Sequence, residues 1–419
     1  MNPRSVFAVV TVVLFGLGLR LLFGSTSALT SDIAAFYSAD SVSMALLTTG
    51  PVICLGVCAA AAGYFVRRAR VENVLVCCLI LVAVGTAVRA VPSWPILVAG
   101  TLVAAAGIAV ANVLGPVLVR VIVQEWSRPE RPEDRAVSGR RLGLLTGVLT
   151  AVISASAGVA SGVSVPVAEA LGGGWRWVLG LWSVPVMIAA LCMAVFSRTF
   201  VGSKSPAVPG AVGAQGTSGV LRSPVAWAVT AFMGLQSLMA YSLIAWLPTI
   251  YQDRGVDAAA AGVLLTALSV SSVVTALTVP NLATRLPDQS LLAAAVVLPT
   301  CAGLVGVLSS ADSWALLWAV LLGLGQGGQL SLAMTLMNLR AATARDAASL
   351  SSMAQTVGYV LAACGPLVCG AIHSASQRWE PSVMFLLAVT APMAVAGALA
   401  GRRAVFGVDV RRDAILRDS

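Results

Sequence analysis

The stretch 94–119, WPILVAGTLVAAAGIAVANVLGPVLV, runs for 26 residues without a charged side chain and is closed by Arg120. About 20 apolar residues cross the ~30 Å hydrocarbon core of a bilayer at 1.5 Å per residue, so the segment reads as a membrane-spanning helix. Working outward from it, comparable runs recur at 7–31, 42–66, 73–91, 142–167, 176–197 and 225–250, and again at 258–283, 289–309, 312–339, 347–372 and 380–401. With 94–119 they make twelve. The 419 residues are 58% hydrophobic and 10% charged, with a mean hydropathy of +0.92. A soluble domain carries about a quarter charged residues, so the excess apolar surface here must meet lipid. The 39 glycines and 19 prolines fit the same reading, because neighbouring helices in a membrane bundle re-satisfy the backbone groups they free.

Charge placement checks the count independently. If the N-terminus is cytoplasmic, 21 of the 26 basic residues fall on the cytoplasmic side. Arg89, Arg176, Arg254 and Arg378 fall outside, and Arg20 is left within a span. That asymmetry is the one the positive-inside rule produces, and a missed helix would scramble it. It puts both termini in the cytoplasm; 25 arginines against one lysine match a GC-rich bacterial genome, so the expected location is the inner membrane of a bacterial cell. Residues 1–22 have the basic start and apolar run of a signal peptide, but Arg20 interrupts the run and further spans follow, so the segment reads as a retained first helix. The net charge of +9 is spread between apolar runs rather than gathered on one face, which argues against a nucleic-acid partner.

The stretch 201–220, VGSKSPAVPGAVGAQGTSGV, lies between the sixth and seventh spans and has the composition of a flexible linker. It divides the chain into an N-terminal six-helix bundle (1–198), a cytoplasmic linker (199–222), a C-terminal six-helix bundle (223–402) and a cytoplasmic tail (403–419). The expected fold is therefore an all-α membrane protein, its twelve transmembrane helices arranged as two pseudo-symmetric bundles. A solute site at the interface of two such repeats is the usual plan of a secondary transporter.

Chemistry of other kinds finds little support. The eight cysteines all lie in apolar segments and the chain has one histidine, His373, so no metal-ligand spacing and no bound cofactor are expected. An isolated histidine at a membrane interface reads as structural. Clustered catalytic His, Asp or Glu are absent and the loops are short, which argues against an enzyme or a receptor. Arg20 stands out, because a charge about 13 residues into a span sits near mid-depth and must face the bundle interior and a partner. With Asp32, Glu169 and Asp257 near span ends, its natural partner is a transported anion, gripped by the guanidinium fork. Intramembrane amides and aromatics complete the expected substrate-binding set: Asn112, Gln236, Tyr241, Trp246, Gln326, Gln355 and Tyr359. Gln355 and Tyr359, four apart, share one helical face; Gln326 and Gln329, three apart, share another, with Gln329 and Asn338 read as packing amides.

Several stretches resemble a known family. They are LTTGPVICLG (47–56), GIAVANVLGP (107–116), GLLTGVLTAV (143–152), VPVAEALGGGWRW (165–177), FMGLQSLMAYSLIAWLP (232–248), GLGQGGQLSLAMTL (323–336) and MAQTVGYVLAACGPL (353–367). Over nearly its whole length the chain is similar to the cyanate and 2-nitroimidazole transporter family (CynX/NimT) of the major facilitator superfamily. The resemblance implies the major facilitator fold and a small polar or anionic solute moved by alternating access, with efflux of nitroimidazole-like drugs as the alternative. It departs from the drug/proton antiporters of that superfamily: the loop 63–70, GYFVRRAR, keeps basic residues but lacks the usual aspartate, and the fourth span lacks an intramembrane arginine. The expected partners are a small-molecule solute and the lipid bilayer, the expected state a monomer, and the expected energetics uniport or anion-linked symport.

Overall fold

The computed structural model describes residues 3–39, 41–59, 61–126, 132–199, 217–309, 312–341 and 344–403. Residues 200–216 of the linker expected at 199–222 and residues 404–419 of the tail expected at 403–419 lie outside these residues. Helices α1 (Pro3–Gly18), α2 (Leu21–Ala28) and α3 (Thr30–Tyr37) are followed by α4 (Ser41–Ala59), α5 (Ala62–Arg68), α6 (Val71–Ala87), α7 (Trp94–Trp126) and α8 (Pro132–Ala170). Then come α9 (Trp175–Leu181), α10 (Ser183–Thr199), the short α11 (Thr217–Arg222) and α12 (Pro224–Gln252). The rest is α13 (Ala258–Arg285), α14 (Ser290–Leu308), α15 (Ala315–Leu339), α16 (Ala344–Ser376) and α17 (Glu380–Gly401).

Among the described residues, ten helical stretches are long and apolar enough to cross a membrane. The first span is a bent pair, α1 and α2, meeting at 41°; the second is the shorter α4, prolonged by α5. These elements make up the twelve spans. The sequence reading did not foresee the bend in the first. It falls at Leu19–Arg20, where Arg20 leaves helical geometry (φ −134°, ψ −1°) and its carbonyl accepts from the N–H groups of Phe23 and Gly24 to start α2.

Outward faces are apolar, as lipid requires. Leu291, Leu298 and Val305 recur at sevens along α14 and are all exposed, and Val263, Val270 and Leu277 do the same on α13, with Val274 exposed between the last two. Inside each bundle the helices approach closely on small residues. On α15 a Cβ at Gly323 would strike the Leu268 carbonyl of α13, and one at Gly327 would strike the carbonyl of Ser272. The short side chains let Ser271 Oγ donate to Val320 O (3.1 Å) and Thr275 Oγ1 to Leu324 O (2.8 Å), bonds that carry weight where no water competes.

Spans alternate in direction, so the bundle has an arginine-poor end, called upper here, and an arginine-rich lower end. At the lower end of the second half Arg340, 5% exposed, ties three helices. Its Nε donates to Ala400 O (2.8 Å) and its Nη2 to Gly401 O (2.6 Å) and to the side-chain oxygen of Gln289, whose own backbone N–H also reaches Gly401 O. Removing the guanidinium leaves the Ala400 carbonyl and the Gln289 side-chain oxygen without this donor, at about 1–3 kcal/mol each before relaxation, while Gly401 O keeps the Gln289 N–H. Arg340→Met is expected to lower the melting temperature in detergent by several degrees, measured by static light scattering. An unchanged melting curve would show that the clasp contributes nothing.

The halves meet along much of their length. At the upper end Ser31 Oγ donates to Gln252 Oε1 (2.7 Å) and Ser27 Oγ to Ala245 O (3.4 Å). At mid-depth α8 lies on α13, with Thr266 Oγ1 donating to Gly158 O at 2.8 Å. Lower down, α4 lies on α16, where a Cβ at Gly56 would come within 2.7 Å of Val360.

Candidate functional site

Two cavities lie on this interface, one above the other. The lower, about 410 Å³ of space between atoms that is partly open to solvent, is lined by Arg20 of the first-span break, Ser154 of α8, Gln236 and Ala240 of α12, Ser269 and Ser272 of α13, and Gln326 of α15. The upper, about 350 Å³ of such space and likewise partly open, is lined by Thr26, Ser27, Thr48, Thr101 and Tyr241 among apolar neighbours. Ile244 borders both, and the Tyr241 ring stands beside Arg20, so these two residues of α12 form the partition.

Arg20 is only 9% exposed, yet its guanidinium forms no hydrogen bond and no ion pair with any described group. What holds it is stacking. Its Cζ lies 4.9 Å from the centroid of the Tyr241 ring. Tyr241 in turn packs against Phe23 (5.2 Å between centroids) and edge-on to Tyr359 (6.2 Å). A cation–π contact uses the flat face of the guanidinium and leaves its N–H donors, which point out along the edge, unspent. A charged donor set held in place but not satisfied is what an anion or a strong acceptor requires. The start of α2, with its partial positive charge, lies beside the same cavity and adds to the field.

The amides around Arg20 are unequally committed. Gln236 Nε2 donates to Met233 O (3.1 Å) and Ser237 Oγ (2.7 Å), which fixes the side chain while its carbonyl oxygen has no described partner. Gln326 Nε2 reaches Gln329 Oε1 at 3.4 Å, and its own Oε1 is buried without a partner. Gln329 is wholly buried and donates to Thr300 Oγ1 (2.8 Å) and Val296 O (3.1 Å), a packing role.

Of the eight residues expected from sequence, Arg20, Gln236 and Gln326 line the lower cavity, and Tyr241 lies between the two cavities. Tyr359 stands behind Tyr241. The remaining three lie elsewhere. Gln355 is buried and donates to Ser351 Oγ (2.9 Å). Trp246 donates to Pro366 O (3.0 Å) and leans on Trp379, which stacks on His373 at 3.8 Å and donates to Asp253 Oδ2 (2.6 Å). Asn112 is half-buried on α7, and none of these three lines either cavity. Sequence reasoning missed Phe23, Ser154, Ser269 and Ser272. The serine pair had a signal, two hydroxyls three apart in the apolar run LSVSSVV (268–274). It also missed Glu72, fully buried at the lower end of α6 and 3.7 Å from Arg70, and Arg89, fully buried though it reads as a loop arginine.

Two bundles of six spans, with a buried charged cavity on the interface between them, define a secondary transporter of small solutes. The chain belongs to the Major Facilitator Superfamily, whose sequence profile matches residues 6–366, and within it to the family of the cyanate and 2-nitroimidazole transporters. It is 34% identical to the 2-nitroimidazole transporter of Escherichia coli (strain K12) over 96% of this chain and 97% of that one. It is 26% identical to the cyanate transport protein CynX of the same organism, covering 88% and 90%. The fold is also that of a bacterial homologue of the human lysosomal transporter Spinster, solved inward-facing and unoccupied (TM-score 0.70, 14% identity, 96% and 98% covered).

Proposed function

We propose that this protein carries a small planar anion or polar heterocycle across the bacterial cytoplasmic membrane by alternating access, as a monomer with both termini cytoplasmic and with Arg20 as the solute's anchor. One observation carries the reading: a buried guanidinium with no hydrogen bond or ion pair among the described residues, facing a cavity whose walls come from both halves. The fork of an arginine matches two coplanar oxygens. A carboxylate presents that pair with a full charge and a nitro group presents it without one, while cyanate presents a charged end to the same donors. The names of the two relatives, one for an anion and one for a nitroheterocycle, thus describe solutes that one guanidinium can hold.

Around the anchor, the Gln236 and Gln326 carbonyls offer acceptors for a ring N–H. A ligand of this shape would span from the first half to the second, and rocking of the halves about it would expose it to each side in turn. Among the described residues the only buried carboxylate is Glu72, at the lower end of α6 and away from the cavity linings, so nothing near Arg20 offers itself as a proton carrier. Uniport or anion-linked symport follows.

Uptake of radiolabelled cyanate and of 2-nitroimidazole into proteoliposomes tests the reading. Either compound is expected to enter above protein-free controls and to be inhibited by the other. A preparation that moves neither compound, and whose melting temperature neither one raises, would refute it.

A further inference from the structure

The upper cavity holds an observation that the transport reading above does not use. Arg89, in the turn after α6, is 1% exposed. Its Nη2 donates to Thr26 Oγ1, while its Nε and Nη1 are buried without a partner. Thr26 lines the upper cavity. A full positive charge therefore stands one hydroxyl away from that cavity, with no carboxylate among the lining residues to balance it. Burying a guanidinium so poorly paired is costly, and in this low-dielectric setting its field reaches the cavity nearly unscreened.

The lining chemistry fits an anion. Thr26 donates to Leu22 O (2.7 Å), Thr48 to Met44 O (3.0 Å) and Thr101 to Leu97 O (2.7 Å), each to a carbonyl of its own helix. Such carbonyls already accept a helical N–H, so each hydroxyl can turn its proton into the cavity without leaving an orphan behind. The Tyr241 hydroxyl forms no hydrogen bond with any described group and adds a fourth donor.

We propose that the upper cavity is a second anion station, in which Thr26, Thr48, Thr101 and Tyr241 donate to the solute and Arg89 acts through Thr26 as its buried counter-charge. A solute entering from the arginine-poor end rests there before passing Tyr241 and Ile244 to Arg20. The proposal extends the anion reading of Arg20 but is tested apart from it, and Arg89 is a positioning residue, not a contact one.

Equilibrium dialysis of the purified full chain against labelled thiocyanate, a stable linear anion, counts the stations. Wild-type protein is expected to bind two equivalents, Arg20→Gln one, Arg89→Gln one and the double variant none. Arg89→Lys, which keeps the charge, is expected to restore the second equivalent. A purely structural arginine would alter the melting curve without removing a binding equivalent. Thr26→Val keeps the buried charge but removes both the donor to the solute and the acceptor of the Arg89 bond, and is expected to weaken one of the two sites at least tenfold. Wild-type saturation at one equivalent or none overturns the proposal, as do two undiminished equivalents in both Arg89→Gln and Thr26→Val. If Arg20→Gln keeps two equivalents while Arg89→Gln drops to one, the anchor role of Arg20 fails and the upper station stands.

Discussion

Arg20→Gln is expected to cut solute uptake by about 30-fold or more while leaving the folded protein as stable as before or more so. The size follows from removing one partner of a buried charge-assisted contact, which costs about 2–5 kcal/mol in the bound state. The sign on stability follows from the empty state. Arg20 spends none of its donors on the protein and is 9% exposed, so the apo fold carries the desolvation of a charge with only the Tyr241 ring to offset it. An arginine with a structural role would give the opposite pattern, because its loss would orphan acceptors as the loss of Arg340 does. Arg20→Lys keeps the charge but not the fork, and a loss of about tenfold is expected. Uptake kinetics in proteoliposomes beside melting curves in detergent separate these outcomes. Wild-type uptake by both variants, or a lowered melting temperature for Arg20→Gln, would remove the anchor from the mechanism.

Gly158→Leu is expected to reduce transport below about one per cent of the wild-type rate in a protein that still folds. Gly158 of α8 faces α13 of the other half at mid-depth, where a Cβ would strike Ser269 and come within 2.9 Å of the Thr266 backbone. There is no room for a leucine unless the halves separate. A wedge at this point opposes the closed contact of α8 on α13 in each transport cycle, whereas packing within either bundle is left intact. Thiol labelling of a cysteine placed at Thr266 reads the same event directly, expected slow in the parent and fast in the Gly158→Leu background. Transport at the parental rate, with labelling unchanged, would mean that this contact is not part of the cycle.

Much of the architecture is written in one dimension. Runs such as 94–119 are long enough and apolar enough to have only one stable home, and arginines crowding alternate loops set their order. The family was legible for the same reason, since stretches such as FMGLQS and GLGQGG sit where helices must approach each other closely. Arg20 stood out because charge inside a span is rare enough to be read without coordinates.

The site was legible only in part, and the misses share a cause. A hydrophobic run gives the depth of a residue but not its azimuth, and azimuth decides whether an amide faces a cavity, a neighbouring helix or lipid. Gln236 and Gln355 looked alike in sequence, yet one lines the lower cavity and the other bonds Ser351 along its own helix. Trp246, one helical turn and a residue beyond Tyr241, turns away to bond Pro366. Arg89 read as a loop cation, but the turn after α6 folds it back under Thr26, a placement that depends on residues 63 apart in the chain.

The sequence by itself determined that this chain lives in the bilayer as twelve helices, how they alternate, and that one of them carries an unaccompanied charge, because hydrophobic length and charge placement are local properties. Only the tertiary structure decided which polar groups that charge would meet. Helix rotation and the packing of one half on the other are collective outcomes, and they placed Tyr241, Gln236 and Gln326 around Arg20 and set a second arginine behind the cavity above it.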